Sequence, residues 1–183
     1  LYTGDDSAAN NKQVLLAASG ASAALSIAML RALRDSCKPK ATHLIMSLLM
    51  REKLEALAEA SGNNLEHDKD QLGEIVTRFG EQIVLTDEQI LNNMDDSSTL
   101  VTAIASYNYA QAIAATDDTS PVFAVRMAED GLCGMSANGM IQVEDLGILE
   151  GKDAKGKRVK FYCGMRLTNK RAAAVLLNAN SAG

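Results

Sequence analysis

The sequence predicts an α+β fold, and three observations predict it. Two amphipathic helical patterns fall early, between residues 22 and 60. From residue 74 onward most of the chain reads as strands. The two kinds of element are segregated and do not alternate as βαβ units. A length of 183 residues is about one domain and buries a core without disulfide staples. With no Trp and only 4% aromatics, that core is built from Leu, Ile, Val, Met and Ala.

The elements follow in order. Residues 1–13, LYTGDDSAANNKQ, are polar and turn-rich and predict a loose amino-terminal loop. Residues 14–30 carry no charge but fall short of the roughly 20 apolar residues of a spanning helix. They predict a loop running into a buried helix. From Ser22 to Cys37 the spacing of Leu25, Met29 and Leu33, with Leu30 beside them, gives one helical stripe. Ser22 is placed to cap its start and Pro39 to stop it. Residues 41–47, ATHLIMS, predict a strand, and Ser47 caps a second helix with Met50, Leu54 and Leu57 on one face. Arg51 and Glu55 stand one turn apart on its wet side. Gly62 ends that helix in a left-handed conformation, and LEHDKDQ after it predicts a polar loop.

Residues 74–86 predict two strands around a tight turn at Gly80–Glu81. Residues 87–94 predict a short helix or turn, and the Ala-rich stretch 100–115 reads as either helix or strand. PVFAVRM, from Pro121, is a strand. AEDGLCGMSANG predicts a glycine-rich turn, MIQVEDLG a further strand, and residues 151–157 a charged loop. In residues 159–167 the alternation is strict. Val159, Phe161, Cys163, Met165 and Leu167 make one apolar face, with Lys160, Tyr162 and Arg166 between them. Such a ribbon predicts packing of its apolar face on the chain's own core, leaving the other for solvent or a neighbour. Residues 168–170 make a turn, and RAAAVLLNA returns as the last strand.

Chemistry-bearing motifs are scarce. His43 sits in an apolar strand and reads as a core histidine; His67, beside Glu66, Asp68 and Asp70, reads as part of a solvated loop. No HExxH or paired CxxC spacing marks a metal site. The pairs Asp5–Asp6, Asp95–Asp96 and Asp117–Asp118 lie among Ser, Thr and Asn, where carboxylates bond nearby backbone in turns. Cys133 would be a nucleophile only with a base such as His43 beside it. Ser136 misses the G-x-S-x-G elbow by one residue. Lys152, Lys155, Lys157 and Arg158, interrupted by Asp153, read as a hairpin tip. Three cysteines without regular spacing, Cys37, Cys133 and Cys163, predict no disulfide framework; they read as small hydrophobes among apolar neighbours in a reducing compartment. A net charge of −5 argues against a dedicated nucleic-acid binder. The expectation is therefore no catalytic, cofactor-binding or metal-ligating residue.

The order of segments carries the stronger signal. LYTG looks like the aromatic–glycine step that follows a long spine helix, and SAALSIAMLRALRDSC like the helix after it. KATHLIMSLLMREKLEALA, GEIVTRFGEQIVLTDEQI and SPVFAVRMAEDGLCGMSANGMIQVEDLG follow as strand–helix, strand pair, and strand–turn–strand; KFYCGMRLTNKRAAAVLLNA closes the chain. In that order, over most of its length, the sequence resembles the second half of tailed-phage major capsid proteins of the Hong Kong 97-like fold. The resemblance implies one capsid-core region over residues 1–183, combining axial-type and peripheral-type subdomains. The family's amino-terminal arm, extended loop and spine helix have no counterpart, which would leave an incomplete capsid subunit; a chain opening on Leu1 also fits a fragment or processed product. It implies copies of the chain joined in pentamers and hexamers of an icosahedral prophage or phage head. The implied location is the virion, and the host cytoplasm during assembly. Packaged DNA would be touched non-specifically, with no membrane and no cofactor. The alternatives are an encapsulin-like nanocompartment shell, a soluble enzyme using Cys133 and His43, and a binding module.

Overall fold

The computed structural model describes residues 13–18, 22–62, 65–69, 75–92, 118–148 and 155–181, without the side chains of residues 67, 68, 137–140 and 148. The loop read at residues 1–12, the whole of the ambiguous Ala-rich stretch 100–115, and Lys152 and Asp153 lie outside the described residues. So do Asp5, Asp6, Asp95, Asp96 and Asp117.

The described chain builds a seven-stranded mixed sheet, two helices and a separate two-stranded ribbon. Strand β1 (Val14–Leu16) lies at one edge of the sheet, paired in parallel with β9 (Ala173–Leu177). Next come β6 (Val122–Val125), β2 (His43–Met46), β5 (Gln82–Thr86), β4 (Ile75–Phe79) and β3 (Glu66–Lys69). The β2–β5 pair is also parallel, and the other ladders are antiparallel.

Helix α1 spans Ile27–Ser36 and starts one turn later than its apolar stripe suggests. Ala23 is held on the sheet: its N–H donates to the Asn178 carbonyl (2.9 Å), and its carbonyl accepts from Asn180 N–H (2.8 Å). Residues that keep a strand's bonds cannot also be helical, so Ser26, not Ser22, is the cap, its hydroxyl accepting from Met29 N–H at 3.3 Å. Cys37 is already extended, two residues before Pro39.

Helix α2 (Leu48–Ala60) begins as expected at Ser47, whose hydroxyl accepts from Met50 N–H at 3.4 Å. Ser47 is buried, and Ser120 Oγ donates to it at 3.1 Å. Met50, Leu54 and Ala58, four residues apart, face the sheet. Arg51 pairs with Glu55 (3.0 Å) but is half-buried, and it also donates to Thr77 Oγ1 (3.1 Å) and Thr86 Oγ1 (3.4 Å). The expected surface pair therefore ties the helix to β4 and β5. Gly62 has a φ of 66°, the left-handed end predicted for it.

The core lies between one sheet face and the two helices. Val84, Leu44, Ala124 and Ala174 stand side by side across four strands, all buried with Leu30, Leu33, Met50 and Leu54 in one cluster. The two alanines leave room for the end of α1, and Cys37 Sγ reaches the Ala124 carbonyl at 3.4 Å. Asn178 closes β9 at a φ of 61°. Asn is among the few side chains that accept this conformation, and its amide donates to the Ala18 carbonyl at 2.6 Å.

Several expectations change. Residues 14–16 are a strand, because β9 offers their backbone a partner. Residues 66–69 are a strand, not a polar loop, for the same reason: Glu66 to Lys69 pair residue by residue with Arg78 to Ile75 of β4. Residues 87–90 do form a turn, one of the two alternatives expected there, with Asp87 Oδ1 accepting from Gln89 N–H at 2.8 Å. The glycine-rich piece is no turn between strands: Leu132–Ile148 is one continuous strand, β7. It pairs with β8, Lys155–Leu167.

Leu54 is fully buried between helix and sheet. Leu54→Ala is expected to lower unfolding free energy by about 2–5 kcal/mol, read from urea denaturation. A loss below about 0.5 kcal/mol would show that the helix does not seal the core at this point.

Candidate functional site

The feature that distinguishes this molecule is the β7–β8 ribbon. Its root is tightly built. Leu132 N–H donates to the Arg126 carbonyl (2.8 Å), Thr168 N–H to the Gly131 carbonyl (2.9 Å), and Met127 N–H to Thr42 Oγ1 (3.0 Å). A Cβ on Gly131 would stand 2.2 Å from the Arg126 carbonyl oxygen, so only glycine fits. Arg126 Nε bonds Asp130 at 2.7 Å and holds its carboxyl below the usual range.

From that root the ribbon runs outward; a 13-residue strand such as β8 spans roughly 40 Å. Its two strands pack on each other and on no other named element to a comparable extent. Side chains directly opposite in an antiparallel ladder share a face. One face carries Leu132 opposite Leu167, Ile141 opposite Phe161 and Val143 opposite Val159, with Met165 and Cys163 in the same β8 row. The other carries Gln142 and Glu144 against Lys160 and Arg158, with Tyr162 and Arg166. Glu144 accepts from Lys160 Nζ and lies 3.9 Å from Arg158 Nη1. The register slips between Ser136 and Ile141, and again between Asp145 and Gly147, where Gly147 has a φ of 73°. Gly147 thus accompanies a bulge inside the strand, while Gly134 sits in regular pairing opposite Met165.

The apolar face was expected to pack on the chain's own core, and it does not. Ile141, Val143, Val159, Phe161, Met165 and Leu167 are 40–78% exposed. At about 150–200 Å² for a fully exposed side chain of this size, the face presents on the order of 600 Å² of apolar surface. Monomeric proteins ordinarily expose patches of a few hundred Å². The ribbon leaves the sheet at Val125 and returns at Ala173, and its strands pack on each other instead of on the core elements.

The other sequence-singled residues are dispersed. His43 Nδ1 lies 2.8 Å from Thr42 Oγ1, and burial lowers its pKa. Cys133, in β7, instead sits 3.7 Å from the Arg166 carbonyl, so the structure gives the two members of the proposed nucleophile–base pair different partners. Ser136 lies in the ribbon opposite Cys163. His67 is in β3. Asp118 Oδ2 accepts from Asn180 Nδ2 at 3.3 Å, a side chain 62 positions along the chain, instead of the nearby turn backbone expected for it. Lys155, Lys157 and Arg158 belong to β8 and not to a loop. The three cysteines differ, against the expectation of apolar surroundings for all: Cys37 is buried, Cys133 intermediate and Cys163 exposed. Among the described residues no three His, Cys, Asp or Glu side chains gather as metal ligands, and no helix is long and apolar enough to cross a membrane.

The fold of the described chain, a mixed sheet with two covering helices and a ribbon, has a similar solved structure. The fold matches the holo-SrpI encapsulin complex from Synechococcus elongatus PCC 7942 with a TM-score of 0.61 at 14% identity, over 93% of this chain. The chain spans about half of that protein, 54% of its length. Encapsulins share the Hong Kong 97-like fold, so the α+β expectation stands at that level. No protein-family model and no curated protein matches the chain.

Two outcomes test this account. Phe161→Asp is expected to leave chemical stability within about 0.5 kcal/mol, as at other exposed sites; a loss of several kcal/mol in a monomer would mean that the face is core. The Cys37 thiol is pushed by burial from 9.0 up to about 11. Its neutral form is the one the fold favours, so its contribution is complete below pH 9 and is lost as pH rises from about 9 to about 11. Unfolding free energy should therefore fall across that window, and fall less in Cys37→Ala. Equal slopes in the two proteins would refute the assignment.

Proposed function

We propose that the protein is a structural subunit of a self-assembling protein shell. The fold likeness to an encapsulin over 93% of the chain carries the reading. The ribbon fits it. An isolated two-stranded ribbon is marginally stable in water, and an uncovered apolar face of this size favours burial in a contact. In a shell that face is buried between subunits. The seven-stranded body then serves as the axial-type part and the ribbon as the peripheral-type part. Copies joined head to tail close into rings such as pentamers and hexamers, and many modest contacts per subunit act together. This reading assigns no catalytic role to Cys133 or His43.

Two kinds of shell fit. The order of segments along the sequence supports a tailed-phage head, with the protein in the virion and, during assembly, in the host cytoplasm, touching packaged DNA without sequence preference. The solved neighbour supports an encapsulin-like compartment and tips the balance slightly toward it. Gene neighbours separate them: portal, terminase and protease genes for a phage head, a cargo enzyme gene for a compartment. Particle contents do so as well, nuclease-protected DNA against enclosed protein.

Negative-stain electron microscopy and light scattering of the expressed protein test the common reading. Closed particles or rings are expected, and Val159→Asp with Phe161→Asp should abolish them while the circular-dichroism spectrum stays unchanged. A parent protein that remains monomeric at its highest attainable concentration defeats the proposal.

A further inference from the structure

A second feature of the molecule lies away from the ribbon. Between α1, the later turns of α2 and the β3–β4 hairpin is a cleft of about 250 Å³. Its apolar walls come from Ile27, Leu65 and Phe79, with the buried Leu54 behind them. Its polar lining is Arg31, Arg34, Arg78 and Glu66, three guanidinium groups against one carboxylate. This is an unusual balance for a chain of net charge −5.

The charges are only partly compensated. Glu66 stands directly opposite Arg78 in the β3–β4 ladder, where it offsets one guanidinium. Arg34 gives its Nε to Asp35 at 2.9 Å. An arginine has five N–H donors in a rigid fork, so the terminal nitrogens of Arg34 remain for another acceptor. Arg31 has no ion pair among the described residues. Arg31 and Arg34 are three residues apart on one helix and so share a side of it.

We propose that this cleft binds a small organic oxyanion, a carboxylate or phosphate carried on a compact apolar body. The guanidinium groups take the oxyanion, which arginine recognises through paired N–H···O bonds. The apolar walls take the body. The volume lies just under the roughly 300–1,000 Å³ of ordinary ligand pockets, which limits the ligand to about a single ring or short chain beside its acid group. Neither the shell reading nor the ribbon enters this argument.

Ligand-observed saturation-transfer NMR and calorimetry test it on the full chain, with phenyl phosphate as the probe. Both methods work whether or not the protein assembles. Inorganic phosphate supplies the charge without the ring, and benzyl alcohol the ring without the charge. Phenyl phosphate is expected to bind at least about tenfold more tightly than either, the worth of one good contact. Arg31→Gln changes an exposed side chain and should leave the melting temperature unaltered while weakening phenyl phosphate about tenfold. Arg34→Gln should act in the same direction. Undetectable binding of phenyl phosphate, binding no tighter than inorganic phosphate, or unchanged affinity in both variants would each overturn the proposal.

Discussion

The structure depends on one buried layer: the side chains of Val84, Leu44, Ala124 and Ala174 lying under two helices. Strands of three to five residues cannot hold a sheet together by backbone bonds alone. They persist because one face is sealed. The seal requires small residues on β6 and β9, so that α1 can close over them, and Leu, Met and Val elsewhere in the layer. The ribbon root is fixed only because β6 and β9 are fixed: Arg126 follows the one and Ala172 precedes the other, joined by an N–H···O bond of 2.8 Å.

The same amphipathic alternation meets two fates in this chain. On β2, Leu44 and Met46 face the helices and are fully buried. On β8, Val159, Phe161 and Met165 alternate as strictly but stay exposed, with no partner layer among the described residues. The difference is one of connectivity. A strand inside the sheet inherits the helices that cover its neighbours, whereas a hairpin inserted between two adjacent strands, β6 and β9, is carried away from them. The charged side of the ribbon, with Glu144 between Arg158 and Lys160, orients it without stabilising it much, since exposed ion pairs are weak.

The glycine-rich segment also serves that projection. Gly131 permits a backbone approach no other residue could make, and so sets where the ribbon leaves the body. Further along, the register slip between Ser136 and Ile141 puts odd-numbered residues of β7 on the face that even-numbered ones occupied nearer the root, and the slip between Asp145 and Gly147 reverses it. The apolar face stays continuous across strands even though the alternation along β7 is broken. Simple counting along the sequence therefore reads this stretch as a turn followed by a second strand.

What was legible in the sequence was local. Ser47 as a cap, Arg51 near Glu55, Gly62 at a left-handed position, and two strands around a tight turn at Gly80–Glu81 each follow from side chains within a few positions of one another. The scarcity of chemistry-bearing motifs, and the apolar face of residues 159–167, were equally visible. What only the tertiary structure decided was partnership at long range. Residues 14–16 become a strand, and Ser26 displaces Ser22 as the cap, because β9 and the residues after it, more than 150 positions away, supply the backbone bonds. Whether an apolar face is core or surface depends in the same way on which layers the chain path brings over it; alternation reveals that a face exists, not what will cover it.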